Sequence, residues 1–116
     1  MIAQLMGLPV ISPRDLHERM RTEPVLVIDV NDASRWAATR VPGARHLDPQ
    51  SFVAGDLPPD RDAVIVFYCS NPLCRKAPNA ARRARGMGYH NVSVMSAGIS
   101  GWLNAALPID SGTPST

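Results

Sequence analysis

Cysteine is scarce in this sequence: two in 116 residues, both in the stretch "VIVFYCSNPLCRKAPNAARRARGMG". A pair of cysteines is too few for the disulfide framework of a small secreted domain and reads instead as thiols with chemistry of their own. Histidine is nearly as sparse, and the three, His17, His46 and His90, keep no ligand spacing to one another or to the cysteines, which argues against a metal site. The formal charge is only +2, too weak to point to nucleic acid, although it leaves room for a small anionic substrate. No apolar run is long enough for a membrane span, and "MIAQLMGLPVISPRD" lacks the basic start and apolar core of a secretory signal, so the expectation is a cytoplasmic protein without a membrane partner. Internal repeats are absent. The two tryptophans, Trp36 and Trp102, are expected in packing rather than as ligand platforms.

What is present is an alternation of short apolar runs and helical segments. "PVIS" is a first strand candidate. Ser12, Pro13 and Asp15 then supply an N-cap, an N1 proline and an N3 acid for a helix to about Arg21, with Leu16 and Met20 turned inward. "VLVIDV" (25–30) reads as a buried strand, "DASRWAAT" (32–39) as a short helix, and "VPGA" as a turn before a strand over 44–47. Residues 48–62 are rich in Pro and Gly and read as a connection with one helical turn near Phe52. "VIVFY" (64–68) has no polar alternation, as expected of a strand covered on both faces. A helix over about 75–87 follows, with Ala77, Ala81 and Ala84 on one face and Gly88 as its C′ residue. "VSVM" is a last strand and "GISGWLNAA" a last short helix that offers Trp102 and Leu103 to the core. This order predicts an α/β domain with about five parallel strands flanked by helices, spanning 9–108 between an N-terminal segment (1–8) and a frayed tail (109–116).

The chemistry concentrates where strand 64–68 ends. Cys69 stands at a strand's carboxyl end, where open α/β sheets hold their ligands. Five residues (Ser70, Asn71, Pro72, Leu73 and Cys74) separate it from Arg75, which opens a helix. Such a C-x5-R loop can turn its backbone amides toward an anion, with the helix dipole adding to the field and the Arg75 fork available to an oxyanion. The same field is expected to lower the Cys69 thiol from about 8.5 into the range of roughly 3.5–7.5 and make it a nucleophile. Cys74 admits two readings: a resolving thiol that closes a disulfide with Cys69, or a small side chain packed where loop meets helix.

Several separated motifs together resemble the rhodanese domain family. "VLVIDVNDASRWAATRVPGARHLDP" is similar to the family's opening, an aspartate-ended strand followed by a short helix and a Val-Pro-Gly-Ala turn. "VIVFYC" with its arginine-bearing loop is similar to the active-site segment, and "NVSVMSAGISGWLNAALPI" to the ending. The resemblance implies a three-layer rhodanese-like fold and a sulfurtransferase without a cofactor. In that chemistry the thiolate at Cys69 takes sulfane sulfur from a small anionic donor such as thiosulfate. It hands the sulfur to a thiol, a cyanide-like acceptor or an acceptor protein, while Ser70 to Arg75 bind the substrate.

The departures bear on substrate. The usual sulfurtransferase loop is one residue shorter, and this longer one is similar to that of the cell-division dual-specificity phosphatases and related arsenate reductases, which share the fold. Against phosphatase chemistry, the loop carries no carboxylate, and Pro72 removes one amide donor. Asn31 stands where an arginine usually follows the strand aspartate, Thr39 and Arg40 replace a Gly-His pair, and Lys76 replaces a hydroxyl residue. Asp29 is expected to cap a turn or pair with a basic residue, Arg40 to reach the crevice rim, and Arg82, Arg83 and Arg85 to form a solvated face. A binding or regulatory module that keeps the fold is the reading of another class.

Overall fold

A computed structural model describes residues 7–112 of the chain. Its elements run α1 (Pro13–Thr22), β1 (Leu26–Asp29), α2 (Ala33–Ala38), β2 (Arg45–His46), a 3-10 turn (Ala54–Asp56), β3 (Ile65–Tyr68), α3 (Lys76–Gly86), β4 (Val92–Val94) and α4 (Gly98–Asn104). The sheet has the order β2-β1-β3-β4 with every pairing parallel, Leu26 opposite Ile65 and Phe67 opposite Val94.

Four strands form where about five were expected. The "PVIS" segment adds one parallel bridge, Val10 to Val94, held by hydrogen bonds from the Ile11 amide to the Val94 carbonyl (3.0 Å) and from the Val94 amide to the Pro9 carbonyl (2.9 Å). Pro9 has no amide to give the ladder and Pro13 already begins α1, so the segment cannot lengthen into a strand. The α1 start is as the sequence predicts, with the Ser12 hydroxyl accepting from the Asp15 amide at 3.1 Å.

The side-chain alternation of β3 divides the core into two layers. Ile65, Phe67 and Cys69 face α3, where Ala77, Ala80, Ala81 and Ala84 form its contact stripe with Phe52 and Leu57 alongside. Val66 and Tyr68 face the other way, toward Leu16 of α1 and Trp102 of α4. The alanines let the α3 backbone lie close to the sheet, so the loop between β3 and α3 is short and held at both ends.

Three expectations change. Leu103 is exposed while Trp102 alone of the pair is fully buried. Arg40 is buried rather than at a crevice rim: its guanidinium lies 4.3 Å from the Trp36 ring centroid and donates to the carbonyls of Trp36 (3.1 Å) and Gly112 (2.7 Å). The first tail residues are tied down, because Arg40 and Asp110 exchange backbone hydrogen bonds, each of 3.0 Å, and the Asp110 carboxylate accepts from the Gly43 amide. Residues 1–6 and 113–116, including the ends of both expected terminal segments, lie outside the described residues. No helix among the described residues is long and apolar enough to cross a membrane.

Candidate active site

Two hydrogen bonds fix the cysteine loop from behind. The Ile99 amide donates to the Cys69 carbonyl (2.9 Å) and the Ser100 amide to the Ser70 carbonyl (3.1 Å), so the first turn of α4 spends its free amides on the loop. The approach is close enough to require glycine at 98. Its φ is +68°, and a Cβ there would lie 2.5 Å from the Ser70 carbonyl carbon and 2.6 Å from the Asn71 nitrogen.

From the sheet side, a chain of buried polar groups reaches the same loop. Asp29 is fully buried at the end of β1, where Oδ1 accepts from the Asn31 amide (2.8 Å) and Oδ2 from the Tyr68 hydroxyl (2.7 Å), which itself accepts from the Val41 amide (3.1 Å). This is the turn-capping role expected of Asp29. Burial raises the Asp29 carboxyl above the usual range despite these donors, and burial together with the Asp29 charge raises Tyr68. Asn31 continues the chain: Oδ1 accepts from the Ser70 hydroxyl at 2.7 Å and its carbonyl contacts His46 Nε2 at 2.7 Å. Its Nδ2 is buried without a hydrogen-bond partner.

Within the loop, Asn71 folds the chain back on itself. Its side chain accepts from the Leu73 amide (2.9 Å) and its carbonyl from the Cys74 amide (3.1 Å). Those two amides are therefore committed to the turn. The donors that reach sulfur come from elsewhere: the Ala77 and Ser70 amides for Cys69, and the Lys76 and Ser70 amides for Cys74. Leu73 is 83% exposed at the loop tip. Arg75 is exposed at the N-cap position of α3, and the charge acting on Cys74 is that of Lys76.

The two sulfurs form a hydrogen-bonded pair in which the Cys69 thiol donates to Cys74. This reverses the expected acidity. Burial, and then the bond to Cys74, push the Cys69 thiol up to about 12. Partial burial raises Cys74 too, but the bond from Cys69, the Lys76 and Ser70 amides and the Lys76 charge outweigh it and hold Cys74 below the ordinary thiol value. Sequence reasoning foresaw neither the burial of Cys69 nor that the charge at the loop is that of Lys76, acting on the second sulfur.

Beside the loop lies a cleft of about 390 Å³ at the carboxyl ends of β1 and β2, lined by Asn31, Asp32, His46, Asp48, Gln50 and Lys76 among others. A larger open groove, about 580 Å³, sits at the opposite edge against Pro24, Asp62 and Val64, away from both cysteines. The strand carboxyl ends are the better site because the nucleophiles and free amides are there. Among the flanking acids, Asp32 caps α2 and is held below the usual carboxylate range by the Arg35 amide and the Ser34 hydroxyl, while Asp48 accepts from the Gln50 amide (2.9 Å). Arg82, Arg83 and Arg85 are exposed on α3 as expected, and Arg83 also donates to the Phe52 carbonyl (3.0 and 2.9 Å). No cluster of metal-ligating side chains occurs among the described residues. The roles of Asn31, His46 and Gly98 were not assigned from sequence; the single available signal was that Asn31 departs from the arginine the family favours.

Comparison with known proteins agrees with this architecture. The rhodanese-like domain family matches residues 12–105. The thiosulfate sulfurtransferase GlpE of Haemophilus influenzae (strain PittEE) is 36% identical over 100 residues, 86% of this chain and 92% of that protein. The HTH-type transcriptional regulator Rv0324 of Mycobacterium tuberculosis is 34% identical over 97% of this chain, which spans 50% of it. Among solved structures, the BH2092 protein of Bacillus halodurans superposes with a TM-score of 0.82 at 22% identity, covering 93% of this chain and 80% of that one. The match across nearly the whole chain, the parallel sheet and the cysteine loop at its carboxyl edge agree: this chain belongs to the rhodanese-like domain family.

Proposed function

We propose that the protein is a sulfurtransferase that moves sulfane sulfur from a donor such as thiosulfate to a thiophilic acceptor through a persulfide on Cys69. The observation that carries this reading is the placement of Cys69 at the end of β3, under amides of Ser70 and Ala77. The GlpE relatives supply the substrate class.

The Cys69–Cys74 pair explains how a buried thiol becomes a nucleophile. The two thiols act on one another, and the Cys69 proton can be passed to Cys74. Shifted along the hydrogen bond to Cys74, it leaves Cys69 as the thiolate. That thiolate attacks the outer sulfur of thiosulfate, the S–S bond of the donor breaks, and sulfite departs with the electron pair. Sulfite is a stable anion and needs no acid. Ser70 to Arg75 form the donor's binding loop, with Arg75 and Lys76 supplying positive charge at its rim.

The loop's length favours a second reading, oxyanion chemistry on phosphate or arsenate, but the flanking acids weigh against it. Asp32 is held ionised by its cap, and the loop itself offers no proton donor. A non-catalytic binding or regulatory module, suggested by the HTH-type transcriptional regulator Rv0324, differs from an enzyme in showing no steady turnover. The deciding experiment is sulfite release on mixing with thiosulfate: one sulfite per chain from the native protein and none from Cys69→Ser. Equal release from a folded Cys69→Ser protein overturns the assignment.

A further inference from the structure

We infer that Cys74 resolves the Cys69 persulfide within the chain, releasing sulfide and leaving a Cys69–Cys74 disulfide that an external dithiol must reduce. This rests on the persulfide reading above and gives the second cysteine its own part in turnover, resolution of the persulfide within the chain.

Geometry carries the inference. The Asn71 turn brings the Cys74 backbone back toward the sheet, and the Cys74 side chain packs against the core layer that contains Cys69. Both cysteine side chains thus belong to one packed layer. Cys69 is 3% exposed whereas Cys74 is only partly covered, so a bulky acceptor thiol meets Cys74 before it meets the sulfur that holds the cargo. A thiol already in contact also acts at an effective concentration far above that of any thiol in solution. Cys74 has what a resolving group needs: it accepts amide hydrogen bonds from Lys76 and Ser70 and lies near the Lys76 charge, all of which favour its thiolate.

The step balances. The Cys74 thiolate attacks Sγ of Cys69, the bond from Sγ to the outer sulfur breaks, and that sulfur leaves as hydrosulfide with the electron pair. The sulfane sulfur is reduced to sulfide, and the two cysteine sulfurs are oxidised to the disulfide. A dithiol then attacks at the accessible Cys74 side, regenerating both thiols as it becomes a disulfide itself. The net reaction converts thiosulfate and a dithiol into sulfite, sulfide and an oxidised dithiol.

The test follows the full chain by intact mass under non-reducing conditions after thiosulfate treatment, with sulfide measured in parallel. The native protein is expected to lose two hydrogen atoms, release one sulfide per chain and yield a linked Cys69–Cys74 peptide. Cys74→Ser is expected to keep one added sulfur on Cys69 and release none. A stable persulfide on the native chain, sulfide release undiminished in Cys74→Ser, or the added sulfur recovered on Cys74 overturns the inference. A second arm loads the native protein and Cys74→Ser with hydropolysulfide, which supplies sulfane sulfur without using the loop as an anion site. If thiosulfate loads neither protein, the donor reading fails. The linked peptide and sulfide in this arm, from the native chain alone, still uphold resolution by Cys74, and a persistent persulfide there overturns it.

Discussion

The Ser70 hydroxyl donates to Oδ1 of Asn31 over 2.7 Å, fastening the first residue after the nucleophile to the end of the neighbouring strand. Because Asn31 is itself held by Asp29 through its amide, the loop takes its position from the sheet rather than from its own turn alone. Ser70→Ala and Asn31→Ala are therefore expected to slow sulfite release by about tenfold to a hundredfold, as small misplacements of reacting groups do. The double variant should be little worse than either single one, since both remove the same bond. Additive losses would show that the two residues act separately.

The hydrogen-bonded pair predicts which sulfur alkylates first. At neutral pH iodoacetamide should modify the partly exposed Cys74, with a midpoint below the ordinary thiol value, while buried Cys69, pushed up to about 12, reacts slowly. Cys74→Ala removes the partner that raises Cys69 and leaves burial set against the Ala77 and Ser70 amides, so the pH at which sulfite release is half-maximal should move downward. Peptide mapping of the label and a pH–rate profile check both, and first labelling at Cys69 would contradict the pairing.

Gly98→Ala should damage the loop out of proportion to its size. A left-handed backbone costs an ordinary residue about 1–2 kcal/mol, and here the added Cβ also meets the loop backbone at 2.5 Å. Sulfite release is expected to fall by roughly a hundredfold. Gly55→Ala, where a Cβ meets nothing within 4 Å, serves as the control and should retain the native rate.

Tyr68→Phe removes a hydroxyl that donates to Asp29 and accepts from Val41, leaving two buried groups each short of a partner. The expected loss of stability is about 1–3 kcal/mol per group. Its pH dependence follows from the raised Asp29 carboxyl: a group whose folded value lies above its unfolded one favours folding when protonated, and that contribution fades as pH climbs through the folded value. Losing a donor to the carboxylate raises the folded value further, so denaturant midpoints should fall more at neutral than at mildly acidic pH.

An aryl phosphate should turn over weakly or not at all. A positioned proton donor is commonly worth about a hundredfold to ten-thousandfold, and neither the loop nor the capped Asp32 supplies one. Efficient Cys69-dependent phosphate release would put Asp48 first among the acids to test.

Apart from the first strand expected at "PVIS", strands and helices were legible in the sequence to within a residue or two, because β3 is an unbroken apolar run and α1 carries its own cap and proline. Cys69 and its loop were legible for the same local reason. What was not legible depends on contacts between distant segments. The Asn31–Ser70 bond joins residues 39 apart, and no spacing rule reaches so far. The acidity of Cys69 was misjudged because helix start and positive charge are written locally, whereas the burial that overrides them comes from α3 and the sheet closing over the sulfur. Arg40 likewise looks like a surface cation until Trp36 and the returning tail enclose it.

The pairing of Arg40 with Asp110 also sets a practical edge to the folding unit. The matched family span stops at 105, yet among the described residues the last stitch across the molecule is made at residues 110–112. Trimming the chain to the matched span would release the 41–43 turn, whose Val41 amide is a donor to Tyr68 and so, through Asp29 and Asn31, is linked to the floor of the cleft. A shortened fragment would thus be expected to lose order first at its reactive edge, far from the cut.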